Sequence, residues 1–138
     1  MGLRQATLDD LELITDMGMK FAVMSPYKDF CLYTVMREVI YTCIQTGGCF
    51  VYDEKGFIMG HINKFVYGVD ALASELGWWV EPPYRGEGVG AELIAAFEKW
   101  AYDNGARAVA MISLDEEVGA YYVKRGYRLC EHTYFKEF

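Results

Sequence analysis

With 138 residues, 53% of them hydrophobic and 16% aromatic, the chain has the length of one compact domain and ample apolar side chains for a core. Its formal net charge of −7 argues against a general nucleic-acid binder, because neutralising phosphates requires a basic face, and makes a positively charged partner the natural one. Cys31, Cys43, Cys49 and Cys130 form no C-x-x-C pair and have no ligand-like spacing with His61 or His132, so no metal site is expected, and Cys31 and Cys43, among apolar residues, read as small hydrophobes of a reducing compartment. No apolar run is long enough for a membrane span and the start MGLRQA has no signal-peptide core, so a cytoplasmic location is expected. With three prolines, no charge block, no low-complexity stretch and no internal repeat, residues 1–138 read as a single domain without a linker.

In chain order, residues 3–6 are expected to form a short strand. Thr7 is then a helix N-cap, with Asp9 and Asp10 favouring the first turn of a helix that buries Leu8, Leu11, Ile14 and Met17. That pattern fades before Ser25 and Pro26. A second amphipathic stretch places Leu32, Val35, Met36, Val39, Ile40 and Cys43 on one broad face, and Gly47 and Gly48 stop it. From Cys49 the period becomes extended: residues 49–52, the turn DEKG and residues 57–66 read as a β-hairpin in which Gly56 is free to take a positive φ, and residues 73–80 read as the next strand. A helix then runs to about Asn104, with Asn104 and Gly105 as its exit. Residues 107–113 form a nearly all-apolar strand of the kind buried on both faces, residues 116–124 a short helix ending at Gly126, and residues 127–137 one or two closing strands. The order β-α-α-β-β-β-α-β-α-β predicts an α/β fold of the α+β type: one mixed, mostly antiparallel sheet of six to seven strands with helices on both faces.

The most informative segment is residues 79–94, WVEPPYRGEGVGAELI, in which an apolar strand runs into a glycine-rich loop that opens directly into a helix. Gly86, Gly88 and Gly90 let the backbone turn sharply and approach a ligand, and the first turn of the helix points unpaired N–H groups and a partial positive charge at the same spot. Such a junction holds phosphate, which points to a nucleotide-like cofactor. Gly86, Gly88 and Ala91 also satisfy the G-x-G-x-x-A dinucleotide fingerprint, with Asp115 a little over about 20 residues on. A dinucleotide unit would need repeated βαβ crossovers, however, and the approach Pro82-Pro83-Tyr84-Arg85 is foreign to its tight turn.

The run Val80-Glu81-Pro82-Pro83-Tyr84-Arg85-Gly86-Glu87-Gly88-Val89-Gly90-Ala91 resembles the R/Q-x-x-G-x-G/A acetyl-CoA signature of the GNAT superfamily of N-acetyltransferases, and the strand order agrees with that fold over essentially the whole chain. The resemblance implies that backbone amides of Arg85, Gly86, Glu87, Gly88, Val89, Gly90 and Ala91 hold the CoA pyrophosphate, with modest help from the Arg85 side chain. It also implies that Trp79 and Val80 hydrogen-bond the pantetheine arm like an added strand. A diphosphate held on N–H donors needs few basic side chains, so an acidic protein can still bind it.

The activity implied is direct transfer of acetyl from acetyl-CoA to an amine on a small molecule, protein or peptide, the acceptor being cationic. The chemistry requires a base for the amine, a donor for the oxyanion and an acid for the departing thiolate. The family places a Tyr four residues before the Gly of a terminal G-F/Y pair, which is Tyr122 before Gly126-Tyr127. Where the family often has Asn and Ala this chain has Asp115 and Val118, and Asp115 can accept but not donate a pantetheine hydrogen bond when ionised. Glu75, near the middle of the strand leading to Val80, is the first candidate for the base, with Glu81, Glu117 and His61 as alternatives, and the Val80 N–H is the oxyanion donor. Trp78 and Trp79 point to opposite faces of their strand. The acceptor pocket falls on the first two helices and their connection, where Tyr27, Asp29 and Phe30 suit an ammonium. Dimers are frequent in the family, and the final strands at 127–137 are placed to pair across subunits in a homodimer. The rival expectation is a catalytically silent acyl-CoA-binding or protein-interaction module on the same fold.

Overall fold

A computed structural model describes residues 2–138. Its elements are β1 (Leu3–Gln5), α1 (Leu11–Val23), α2 (Tyr33–Thr46), β2 (Cys49–Tyr52), β3 (Gly56–Lys64), β4 (Ala71–Val80), α3 (Val89–Asp103), β5 (Ala106–Ala110) and α4 (Glu116–Lys124). The strands form one sheet in the order β1-β2-β3-β4-β5, antiparallel except for the β4–β5 pair, which is parallel. A parallel pair needs a crossover, and α3 supplies it.

Both faces of the sheet are covered. On one, Ile14 and Met17 of α1 and Ile40 and Cys43 of α2 pack on Val51, Phe57 and Met59. On the other, Leu93, Ile94 and Phe97 of α3 and Tyr122 of α4 pack on Ile58 and Ala73. The apolar run Phe57-Ile58-Met59 in β3 therefore serves both cores in alternation. No described helix is long and apolar enough to cross a membrane.

Local chemistry sets the element ends. Gly47 caps α2 at φ 88°, and the Gly48 N–H donates to Cys43 O at 2.9 Å, as a Schellman turn requires. At the start of α1, Thr7 leads into a 3₁₀ turn at Leu8–Asp10, so Leu8 is 47% exposed instead of buried. Asp10 accepts both ends of the Arg4 guanidinium at 2.7 Å and the Thr7 N–H at 2.8 Å, which holds its carboxyl below the usual range against the opposing effect of burial.

Three further expectations are corrected. Gly56 is needed for close approach instead of a positive φ, since a Cβ there would lie 2.6 Å from Trp79 O, and it is Asp53 that takes the positive φ of the turn. β5 is an edge strand, with Arg107, Ala108 and Ala110 exposed, and ends three residues before the expected 113. Residues 127–138 form no strand, leaving five strands among the described residues where six to seven were expected. The tail instead turns back to the α1–α2 connection, where Phe135 meets Tyr27 and Phe30 edge-on with ring centroids 5.1 and 5.6 Å away. Alternation in so short a segment makes a strand only when a neighbour takes its hydrogen bonds.

Gly60 stands where β3 lies against both α3 and β4, and a Cβ would strike Ser74 O and the Phe97 ring. Gly60→Ala is expected to destabilise the fold by about 3 kcal/mol through overpacking, read as a lower urea midpoint.

Candidate active site

The site is built on a fork in the sheet. β4 pairs with β5 from Ala71↔Ala106 to Ser74↔Ala110, and among the described residues the rest of β4, Glu75–Val80, pairs on its β3 side alone. The β3–β4 register slips at the same place: Gly60 faces Glu75 and Met59 faces Gly77, so Leu76 is the extra residue of a β-bulge. Leu76 packs with the α1/α2 core, and a Cβ on Gly77 would also point there, at 3.2 Å from Met59 Cε. Trp78 turns to the α3/α4 core and Trp79 to the other. α4, not β5, covers the end of β4: the Trp78 ring stacks on Tyr121 at 6.0 Å and lies 5.8 Å from Tyr122.

The glycine loop sits at the open end of β4. Gly86 and Gly88 have φ of 84° and 88°, where a side chain would be strained, and a Cβ on Gly90 would lie 2.9 Å from Trp78, so α3 starts hard against the strand. Gly88 caps α3, and its first backbone N–H to find a protein acceptor is that of Glu92, on Gly88 O at 3.0 Å. Among the described residues, no backbone N–H from Gly86 through Ala91 has a protein acceptor. Beside them the Trp78 indole N–H is buried without a partner, as is that of Trp79. A run of free amides at a helix start, on an exposed loop next to a half-unpaired strand, fits a diphosphate continued by an extended amide-bearing arm. The Arg85 amide, expected among the diphosphate donors, is already committed, donating to Pro82 O at 3.3 Å, so the run of free amides begins at Gly86. Arg85 Nε donates to Val80 O at 2.8 Å while the guanidinium lies over Trp79, 4.7 Å from the ring centroid.

At the crotch of the fork lies Glu75, 3% exposed. Burial pushes its carboxyl up to about 7, against the lowering effect of the Ile112 N–H, which donates to Oε1 at 3.1 Å. The Tyr122 hydroxyl donates to Ile112 O at 3.1 Å. One residue just beyond β5 is thus held by both titratable groups. Burial first, and then the nearby Glu75 carboxylate, raise the Tyr122 phenol well above its usual value, so it stays protonated. Tyr122 is fixed in turn by Tyr127, 5.6 Å away, whose hydroxyl donates to Glu98 at 2.7 Å, and Glu98 also accepts Arg125 at 2.7 Å.

Two clefts flank α2 and share Val39 and Leu76, the larger lined also by Trp100 and Asn104 at the end of α3. The larger, about 720 Å³, holds Glu38, His61 and Asn63, and the smaller, about 320 Å³, is apolar.

The model of the GNAT acetyltransferase family matches residues 20–127. The chain belongs to the GNAT acetyltransferase family. An aminoglycoside N(6')-acetyltransferase type 1 of Stenotrophomonas maltophilia is 43% identical over 49 residues, 36% of this chain and 32% of that protein, so the match spans about a third of that relative. Among solved structures, a Trypanosoma brucei acetyltransferase superposes with a TM-score of 0.75 at 23% identity, over 99% of this chain and 98% of that one. An aminoglycoside N-acetyltransferase in complex with CoA gives 0.73 at 22% identity, over 99% of this chain and 93% of the other. GNAT enzymes use acetyl-CoA.

Within this GNAT fold, Glu75, Trp79 and Val80 lie on the part of β4 that β5 leaves unpaired, Tyr122 shares Ile112 with Glu75, and the loop Arg85–Ala91 follows the strand's end. Asp115 is the N-cap of α4, where Oδ1 accepts the Val118 N–H at 2.8 Å. Glu81 is tied to Lys20 at 2.8 Å, His61 Nδ1 pairs with Asn63, and Glu117 sits exposed in the first turn of α4, so none of the alternative bases stands in the crotch. Sequence reasoning missed Leu76, Ile112 and Glu98. Ile112 acts through its main chain and leaves no side-chain signal, whereas the break in strand alternation around Gly77 was the available sign of the bulge.

Because Gly88 needs a left-handed backbone, Gly88→Ala is expected to weaken CoA binding by about tenfold in calorimetry, while Glu87→Ala, which keeps the amide, changes it by less than about twofold. Glu75 carries a folded-state pKa of about 7 against an ordinary 4.5, so its contribution to stability is full below about pH 4.5 and is lost as pH rises through 7. That loss amounts to about 3 kcal/mol. Urea melts of Glu75→Gln at pH 5 and pH 8 should show this fall abolished.

Proposed function

We propose that this chain is an N-acetyltransferase that moves the acetyl group of acetyl-CoA directly to an amine on a small molecule or peptide. The reading rests on one juxtaposition: a fork whose crotch holds Glu75 and Tyr122, with free amides from Gly86 to Ala91 at its mouth. Acetyl-CoA supplies the activated thioester. The loop amides take its diphosphate, and the unpaired edge of β4 receives the extended arm, which brings the acyl end to the crotch. The acceptor arrives from the α1/α2 face past Leu76.

In the transfer the amine nitrogen forms a bond to the acyl carbon, the C–S bond breaks, and its electron pair leaves on sulfur. Glu75 takes the proton that the arriving ammonium gives up, for which desolvation gives it a near-neutral affinity, and the second proton that the nitrogen loses after attack ends on the departing sulfur. Tyr122 is held neutral by its burial, so it meets the sulfur as a hydrogen-bond donor when its hydroxyl turns from Ile112 O. The Val80 N–H, expected as the oxyanion donor, lies at the mouth of the fork, five residues along β4 from Glu75, so it serves the extended arm instead, and the amine acceptor is cationic before it reaches the fork. No nucleic acid or membrane takes part, and Asp115 contributes by starting α4 beneath Tyr122. The chain acts in the cytoplasm as one domain, and a homodimer is compatible with the open edge of β5.

The test is thiol release from acetyl-CoA across a panel of amines, beside calorimetry with CoA. Glu75→Gln should lower kcat by about 100-fold at pH 8 and remove an ionisation near 7 from the kcat profile. Tyr122→Phe should lower kcat by about tenfold and leave the CoA dissociation constant within about twofold. CoA binding without turnover on any amine would instead favour the silent acyl-CoA-binding module.

A further inference from the structure

We infer that the acceptor is a monoamine carried on a compact apolar body, and that the groove along the first half of α2 holds that body. The inference rests on the acetyltransferase reading and names the substrate class for it.

The groove encloses about 320 Å³, at the lower end of the roughly 300–1,000 Å³ typical of small-molecule sites. Phe30, Leu32, Val35, Met36, Met59 and Leu76 line it, and no charged side chain is among its described lining residues. Its inner end is Leu76, the bulge residue beside the fork; Glu75 is on the other face of β4 with Ile112 and Tyr122, so a body seated here presents its amine to Glu75 through the gap where β5 leaves β4. Its outer end is aromatic: Phe30 meets Phe135 edge-on, and Tyr27 meets the same ring.

The α2 face carries the sequence signature of a core, yet its first half is uncovered. Ile40 and Cys43 are buried, whereas Val35 is 50% exposed and Phe30 and Leu32, just ahead of the helix, are 61% and 62% exposed. An apolar body in the groove would remove that surface from water, which is the main source of affinity open to a small uncharged group.

The same lining disfavours a polycation. The larger cleft beside the groove offers one carboxylate, Glu38, with His61 and Asn63. An aminoglycoside or polyamine brings several ammonium groups, each of which needs an anionic or strongly polar partner to leave water. The chain's net charge of −7 attracts cations in general, but it is not gathered at this opening. One ammonium, deprotonated at Glu75 on arrival, matches the groups present.

The experiment compares kcat/KM for 2-phenylethylamine, ethanolamine, spermidine and neamine by thiol release from acetyl-CoA, in the unmodified chain and in Val35→Glu. Val35 is half exposed, so the substitution leaves the core intact. The expected result is a kcat/KM for 2-phenylethylamine at least about 30-fold above that for ethanolamine and above both polycations. Val35→Glu should raise its KM about tenfold or more, leaving the dissociation constant for CoA unchanged. Preference for neamine or spermidine, or a Val35→Glu variant with unaltered KM, would overturn the inference and leave the acetyltransferase reading standing. Concentration-dependent dimerisation abolished by Val35→Glu, with no change in KM, would assign the groove to a second copy and overturn it as well. No binding of CoA, or no turnover of any amine, would remove the acetyltransferase reading and this inference together.

Discussion

The structure depends on the place where β4 and β5 part company. Parallel pairing lasts from Ala71 to Ser74, after which a bulge at Leu76 re-aims β4 and the chain beyond Ala110 leaves for α4. An unpaired strand edge is a liability in a finished sheet, because each buried N–H and C=O without a partner costs about as much as a lost hydrogen bond. Here the opening is held by specific groups. Glu75 and Tyr122 take the two main-chain groups of Ile112, and Trp78, Tyr121 and Gly90 seat α3 and α4 against one face of β4 and not along its edge. The half-paired end of β4 is thereby kept available to a ligand with its own amides.

The second consequence concerns charge. An acidic chain binding a diphosphate would be unexpected if affinity had to come from lysines and arginines. The loop from Gly86 to Ala91 offers main-chain dipoles instead, aligned by two left-handed glycines and by the start of α3. The nearest arginine, Arg85, is occupied with Val80 O and the Trp79 ring, so it shapes the strand end more than it neutralises an anion.

Burial does chemical work at the crotch in two opposite senses. It raises the Glu75 carboxyl to about 7, close to where a base must accept and release a proton in neutral solution, and it raises the Tyr122 phenol further from that range, fixing it as a donor. Two acids that share Ile112 are buried alike, and they differ because a carboxyl starts from about 4.5 and a phenol from about 10. The Glu98–Tyr127–Arg125 network ties the end of α4 to α3 and so keeps Tyr122 at its post.

Sequence alone determined what a few neighbouring residues settle between themselves. The stop at Gly47-Gly48, the left-handed glycines of the loop, the helix they start and the opposed tryptophans were legible, because each follows from local backbone freedom, capping or alternation. The glycine spacing also carried the family resemblance that the match over residues 20–127 bears out. Only the tertiary structure decided the rest. Residues 127–137 have alternation but no strand to pair with, residues 106–110 lie at an edge despite their apolar character, and Leu32 and Val35 share a helical face with Ile40 yet stay uncovered. Whether Glu75 was a solvated strand carboxylate or a buried one depended on α4 folding across it. Those outcomes turn on which distant elements meet, and the free energy of burial and pairing belongs to the meeting, not to the segment.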